Sequence, residues 1–145
     1  MSVVLSFSVF IRRLGLKDLF TRPVKLIIGR WFLFEYYTEP GNELINIKQD
    51  DLKRDNNYWE LDFRKGGILI QTSNLPVRFI EDAEFVRWNM SGNFLKVIHP
   101  CDLHRYVVFQ FAIDKDCLKL LKKDNSGKIV FFGFFRKVTP CVTSA

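Results

Sequence analysis

Apolar and polar residues alternate with period two along most of this chain. The clearest stretch sets Trp59, Leu61 and Phe63 on one side and Glu60, Asp62 and Arg64 on the other. Successive side chains of a strand point to opposite faces, so this alternation predicts a strand with one wet face. Lys65-Gly66-Gly67 turns the chain and Ile68 to Thr72 returns, which predicts a hairpin. Residues 74–82 are less regular, and Pro76 limits any ladder there. Glu84 to Met90 places Val86, Trp88 and Met90 opposite Arg87 and Asn89. Ser91-Gly92-Asn93 then turns into Phe94 to His99, and Pro100 closes that segment. Arg105 to Ile113 carries Val107, Phe109, Phe111 and Ile113 on one side. Asp114-Lys115-Asp116 leads into Cys117 to Lys122, and Asp124-Asn125-Ser126-Gly127 is the strongest turn signal in the chain. Ile129 to Val138 is the last strand. The first runs from Ile27 to Tyr37 and stops at the turn residues Thr38-Glu39-Pro40-Gly41. Residues 42–57 are polar and read as a connection, with a short helix or a weak strand near Leu44 to Ile47.

About eight strands in successive hairpins, without a long helical pattern between them, predict neighbours in sequence order. Such a meander must hide its edges, and closure into a barrel does so most completely. The fold class is therefore all-β: an antiparallel up-and-down meander closed into a barrel. The last strand is apolar on both faces, with Val130, Phe132 and Phe134 opposite Ile129, Phe131 and Phe135. One face is expected to look inward, and the other to be covered by the N-terminal segment or a partner. In that segment Leu5, Phe7, Val9 and Ile11 alternate like a strand, while Leu14 to Phe20 suits a short helix. The expected organisation is an extension over residues 1–26 packing on the barrel, a barrel over 27–138 and a tail over 139–145.

Two local features add to the strand order. The first strand opens with Gly29-Arg30-Trp31, and the last carries Arg136 after Phe134-Phe135. Over residues 27–138 the chain resembles the lipocalin-like (calycin) barrels, in particular their short, divergent bacterial members. The resemblance implies that Gly29 and Trp31 form the family's Gly-x-Trp motif. It also implies that Arg136 packs over Trp31 and closes the barrel bottom through a cation–π contact. It implies, further, non-enzymatic binding of a small hydrophobic molecule inside the barrel. Alternation then nominates a wall of Trp59, Leu61, Phe63, Val86, Trp88, Val107, Phe109, Phe111 and Phe131, with Tyr36, Tyr58 and Arg87 as polar groups. The same faces also suit a barrel packed solid with side chains, which would be an interaction or scaffold domain. A protein partner would then be met through residues 1–26.

Composition changes this picture little. The chain has 145 residues, 15 of them Phe, so its core or cavity lining is unusually aromatic. A net charge of +6 favours anionic partners, but the basic blocks Arg12-Arg13, Lys122-Lys123 and Arg136-Lys137 are too short for a basic arm. Nucleic acid is not expected: Tyr106, Phe109 and Phe111 with Arg105 and Lys119 read as core or cavity lining. Val3 to Ile11 has the length of a signal-peptide core, but its positive pair follows it instead of preceding it. A cytoplasmic location is expected on that ground, and export if a leader is missing. The run is too short to span a bilayer, so integral insertion is not expected. Cys101, Cys117 and Cys141 form no CxxC pair and read as free thiols.

Catalytic chemistry is thinly represented. His99, Cys101, Asp102 and His104 sit close together, but their spacing matches no standard metal pattern. They are the only candidate for an enzyme site, through a Cys–His pair that needs an oriented base and an oxyanion site. The carboxylates Asp50-Asp51, Glu81-Asp82 and Asp114/Asp116 fall in turns or connections, where solvation explains them. Gly66-Gly67 lies between strands and is no phosphate loop. No catalytic residue, metal or cofactor is expected.

Overall fold

The structure, a computed structural model, describes residues 23–75 and 85–139. A single turn of helix, α1 (Pro23–Ile27), leads into β1 (Gly29–Thr38). Then come β2 (Ile45–Ile47), α2 (Gln49–Arg54) and β3 (Trp59–Arg64). The remaining strands are β4 (Ile68–Ser73), β5 (Phe85–Ser91), β6 (Phe94–Ile98), β7 (Tyr106–Asp114), β8 (Cys117–Lys123) and β9 (Ile129–Lys137). From β3 to β9 each strand pairs antiparallel with the next, and β9 returns to pair with β1. Eight strands thus close an up-and-down barrel, and β2 is an extra. This is the architecture of the lipocalin-like barrels.

The polar connection after β1 has a structural role. β3 pairs with β1 at Gly29 to Phe32, and β2 pairs with it at Tyr36 to Thr38. Both must use the same edge, because β9 occupies the other from Trp31 to Tyr37. The two strands therefore lie in series, and α2 bridges the gap between them. Asp50 and Asp51 in its first turn and Lys53 and Arg54 in its last complement the helix dipole. Leu52, 4% exposed, packs the helix down.

Alternation produces one inward cluster. It includes Trp31, Trp59, Leu61, Phe63, Val86, Trp88, Phe109, Phe111, Phe131 and Phe135, all buried. Tyr36 stacks on Phe131 at 5.5 Å, and Trp59 meets Phe131 and Phe135 at 5.1 and 5.6 Å. Gly133 makes this possible, since the Phe131 ring occupies the space a Cβ there would fill. A second, smaller cluster lies outside the barrel, where Ala112, Leu121, Ile129 and Phe132 are buried with Tyr37 and Phe134 against them. This explains why β9 is apolar on both faces. The expectation that residues 1–26 cover that face falls, up to residue 22, outside the described residues, as does the tail beyond Thr139.

Candidate functional site

The barrel interior was the expected site, and its end at the start of β1 is closed. At the β1 start, Ile27 and Trp31 are fully buried, and the Trp31 indole N–H donates to the Ile27 carbonyl at 2.7 Å. Lys137, the register partner of Trp31, holds its ammonium 5.3 Å from the indole centre and donates to the Leu26 carbonyl at 3.3 Å. Gly29 takes φ +128°, and a Cβ there would stand 3.1 Å from the Lys137 Cε. A glycine is thus required both for the backbone and for the lysine stem. Gly29 and Trp31 lie at this closed end; Arg136 does not cap Trp31. Arg136 is one residue earlier, so it points outward and covers the Phe34 ring at 4.5 Å. A shift of one position exchanges faces in a strand, and Lys137 takes the inward place.

Ten of the twelve residues expected around a ligand do meet inside: Trp59, Leu61, Phe63, Val86, Trp88, Val107, Phe109, Phe111, Phe131 and Tyr36 belong to the inward cluster or pack against it. Burial raises the Tyr36 phenol above its usual value, so it stays neutral at physiological pH. The two exceptions are corrections. Tyr58 precedes β3 and is 43% exposed on the outer surface. Arg87 is exposed on the outward face of β5, opposite Val86 and Trp88.

The space these residues enclose is small. Trp59, Leu61, Phe63, Leu69, Gln71, Leu95, Val97, Phe109 and Leu120 surround a void of about 10 Å³. That is room for about one water, whereas small-molecule sites run to roughly 300–1,000 Å³. Admitting a ligand would displace rings such as Phe131 and Trp59. Exposing each large apolar side chain costs about 1.5–3 kcal/mol, which the ligand's own burial would have to offset.

No protein-family model matches the chain, and no curated protein matches its sequence. The crystal structure of a lipocalin-like protein from Bacteroides uniformis ATCC 8492 is similar at 16% identity and a TM-score of 0.47, covering 77% of this chain and 98% of that one. The barrel architecture is defined by the sequential strand order and the β1–β9 closure.

The loop from His99 to His104 is organised by backbone contacts. The Cys101 N–H donates to His99 Nδ1 at 3.1 Å, and the His104 N–H donates to Asp102 Oδ1 at 3.0 Å. His99 is 9% exposed, while Cys101 and His104 face solvent. Among the described residues no group of three or more His, Cys, Asp or Glu is placed to hold a metal ion. Cys117, outside this loop, has its pKa raised by burial, which disfavours the nucleophilic thiolate.

The outer wall over β4 to β7 is the feature that sequence reasoning missed. Its outward positions include Ile68, Phe85, Phe94, Tyr106 and Val108, each 37–51% exposed. Register places Phe94 beside Gln110, Lys96 beside Val108, and Ile98 beside Tyr106, so these residues form one surface. Leu103, in the loop before β7, is 70% exposed. Arg87 and Lys96 are its cations, with Lys96 set 4.3 Å over the Tyr106 ring. The outward positions of β4, β5 and β6, and of β7 as far as Gln110, carry no carboxylate. The signal was present in Phe94, Ile98, Tyr106 and Val108, which alternate with the inward set and are apolar where polar residues were expected.

Proposed function

We propose that this chain is a non-enzymatic interaction domain that uses the outer wall of β4 to β7 to hold a protein partner. The observation that carries this reading is a barrel interior that, among the described residues, is packed with side chains around a void of about 10 Å³, beside an exposed apolar wall. Contiguous apolar patches of this kind mark interaction surfaces. Aromatic residues with a few cations, and no acid among the described outward positions, fit a partner surface that is apolar with carboxylates at its rim. A second copy of the chain suits the wall less well, because Arg87 and Lys96 would be brought towards their own counterparts in a two-fold contact.

The test is recovery of a specific partner by the full chain and by a Val108→Asp variant, followed by binding measurements with both proteins purified. The expected result is one-to-one binding by the parent chain, weakened at least tenfold by V108D, with unchanged circular dichroism. Binding that V108D leaves intact would overturn the reading, as would a parent chain that self-associates through the wall.

A second reading is supported by the apolar lining around Gln71. A small hydrophobic molecule inside the barrel would find apolar walls and a single amide to orient it, the composition of a ligand site. This reading requires the barrel to expand well beyond its 10 Å³ void. Uptake of a fatty acid or retinoid, read by Trp59 and Trp88 emission, would establish it in place of the first.

A further inference from the structure

The gap between β2 and β3 leaves a second feature that neither reading uses. On that edge of β1, strand pairing stops at Phe32 and resumes at Tyr36. Beside the gap lies an open groove of about 370 Å³, within the size range of small-molecule sites. Phe32 and Tyr58 present two exposed rings to it, at 39% and 43%. Gln49, Asn56 and Asn57 add side-chain amides, Lys53 adds an ammonium, and among the described residues no carboxylate lines it.

The groove is built in advance. Asn56 adopts the left-handed conformation, with φ 53°. A non-glycine residue there is uncommon, though asparagine tolerates it best. The Asn74 side chain holds this corner from behind: its Nδ2 donates to the Asn56 carbonyl at 2.7 Å, and its Oδ1 accepts from the Tyr58 N–H at 2.8 Å. The Asn57 N–H donates to the Leu52 carbonyl at 2.9 Å, tying the corner to α2. Both amide side chains and the Tyr58 ring therefore start from a fixed backbone, which lowers the ordering cost of binding.

We infer that this groove binds a sugar ring bearing a carboxylate. Aromatic rings offer a surface for the apolar C–H face of a pyranose, and side-chain amides can donate to and accept from neighbouring hydroxyls at once. Lys53, the only charged group of the lining among the described residues, selects the acid over the neutral sugar. The inference is independent of the wall proposed above, since Phe32 and Tyr58 lie on β1 and before β3.

The experiment is a titration of the full, isotopically labelled chain with glucuronate and, separately, glucose, followed by amide NMR shifts. The expected result is saturable millimolar binding of glucuronate, with shifts concentrated in residues 49–58 and glucose at least tenfold weaker. Tyr58→Ala should weaken glucuronate at least tenfold, and Lys53→Gln should remove the preference for the acid while leaving the spectrum folded. Absence of saturable shifts with either sugar, or shifts that both variants leave unchanged, would overturn the inference. Equal affinity for the two sugars would overturn the role of Lys53 and with it the acidic class.

Discussion

Lys137 places its ammonium 5.3 Å from the centre of the Trp31 indole, and the two residues are register partners across the β1–β9 seam. The contact closes the barrel at two levels, joining its first and last strands and capping its floor. Arg136, its neighbour, makes the same kind of contact with Phe34 on the outside. The two cations therefore differ in burial around their rings. A cation–π contact is worth about 0.5–1 kcal/mol when exposed and about 2 kcal/mol when desolvated. Lys137→Ala should cost about 2 kcal/mol in urea unfolding and alter Trp31 emission. Arg136→Ala should cost about half that or less and leave the emission unchanged. Arg136→Ala proving the more damaging would refute this assignment of faces.

Gly133 tests the packing of the interior. A Cβ there would overlap the end of the Phe131 ring and come within 3.2 Å of Leu33 Cδ1. Overpacking of this kind costs about 1–3 kcal/mol. Gly133→Ala is expected to lower stability by that amount, whereas Gly41→Ala, which meets nothing within 4 Å, should change it by less than about 0.5 kcal/mol. Thermal unfolding of the pair measures the difference, and an unaffected Gly133→Ala variant would show a looser interior than described.

Asp124 gives a pH signature. Its carboxylate accepts from the Ser126 hydroxyl and from the Lys128 and Ser126 N–H groups, which together lower its pKa below the ordinary 3.8. Hydrogen bonds to the charged form favour it. Because the folded value lies below the unfolded one, the charged group's contribution is complete above pH 3.8 and fades as pH falls through the folded value. The stability gap between the parent chain and Asp124→Asn should be constant near neutrality and narrow below that point. A gap that widens on acidification would contradict the turn's role. Only a small gap is expected, since the group is exposed.

Much of this barrel was legible in the alternation. Trp59, Leu61 and Phe63 could take only one face, and Lys65-Gly66-Gly67 had to turn, with φ of +85° and +77° at the two glycines. The site was less legible where alternation gives no choice. In β9, Phe131, Phe132, Phe134 and Phe135 are apolar on both sides, so nothing in the pattern decided whether position 136 or 137 faced Trp31. Tyr58 was misplaced because the strand begins one residue after it. β2 falls where a short helix or a weak strand was expected near Leu44 to Ile47, but α2 was hidden in the polar connection, since a three-residue strand and a six-residue helix carry too little periodicity to separate. Volume was not legible at all. Inward aromatics can enclose a cavity or fill it, and only the fit of rings such as Phe131 over Gly133 distinguishes the two.

Among the described residues the inward side chains leave a void of only about 10 Å³, and the proposed binding takes place on the outer surface. Native mass spectrometry of the purified full chain, set against its mass after denaturation, tests this most directly. A full interior predicts identical masses with no bound small molecule, also after incubation with excess fatty acid. A stoichiometric apolar adduct that survives transfer, and is released only on unfolding, would contradict it.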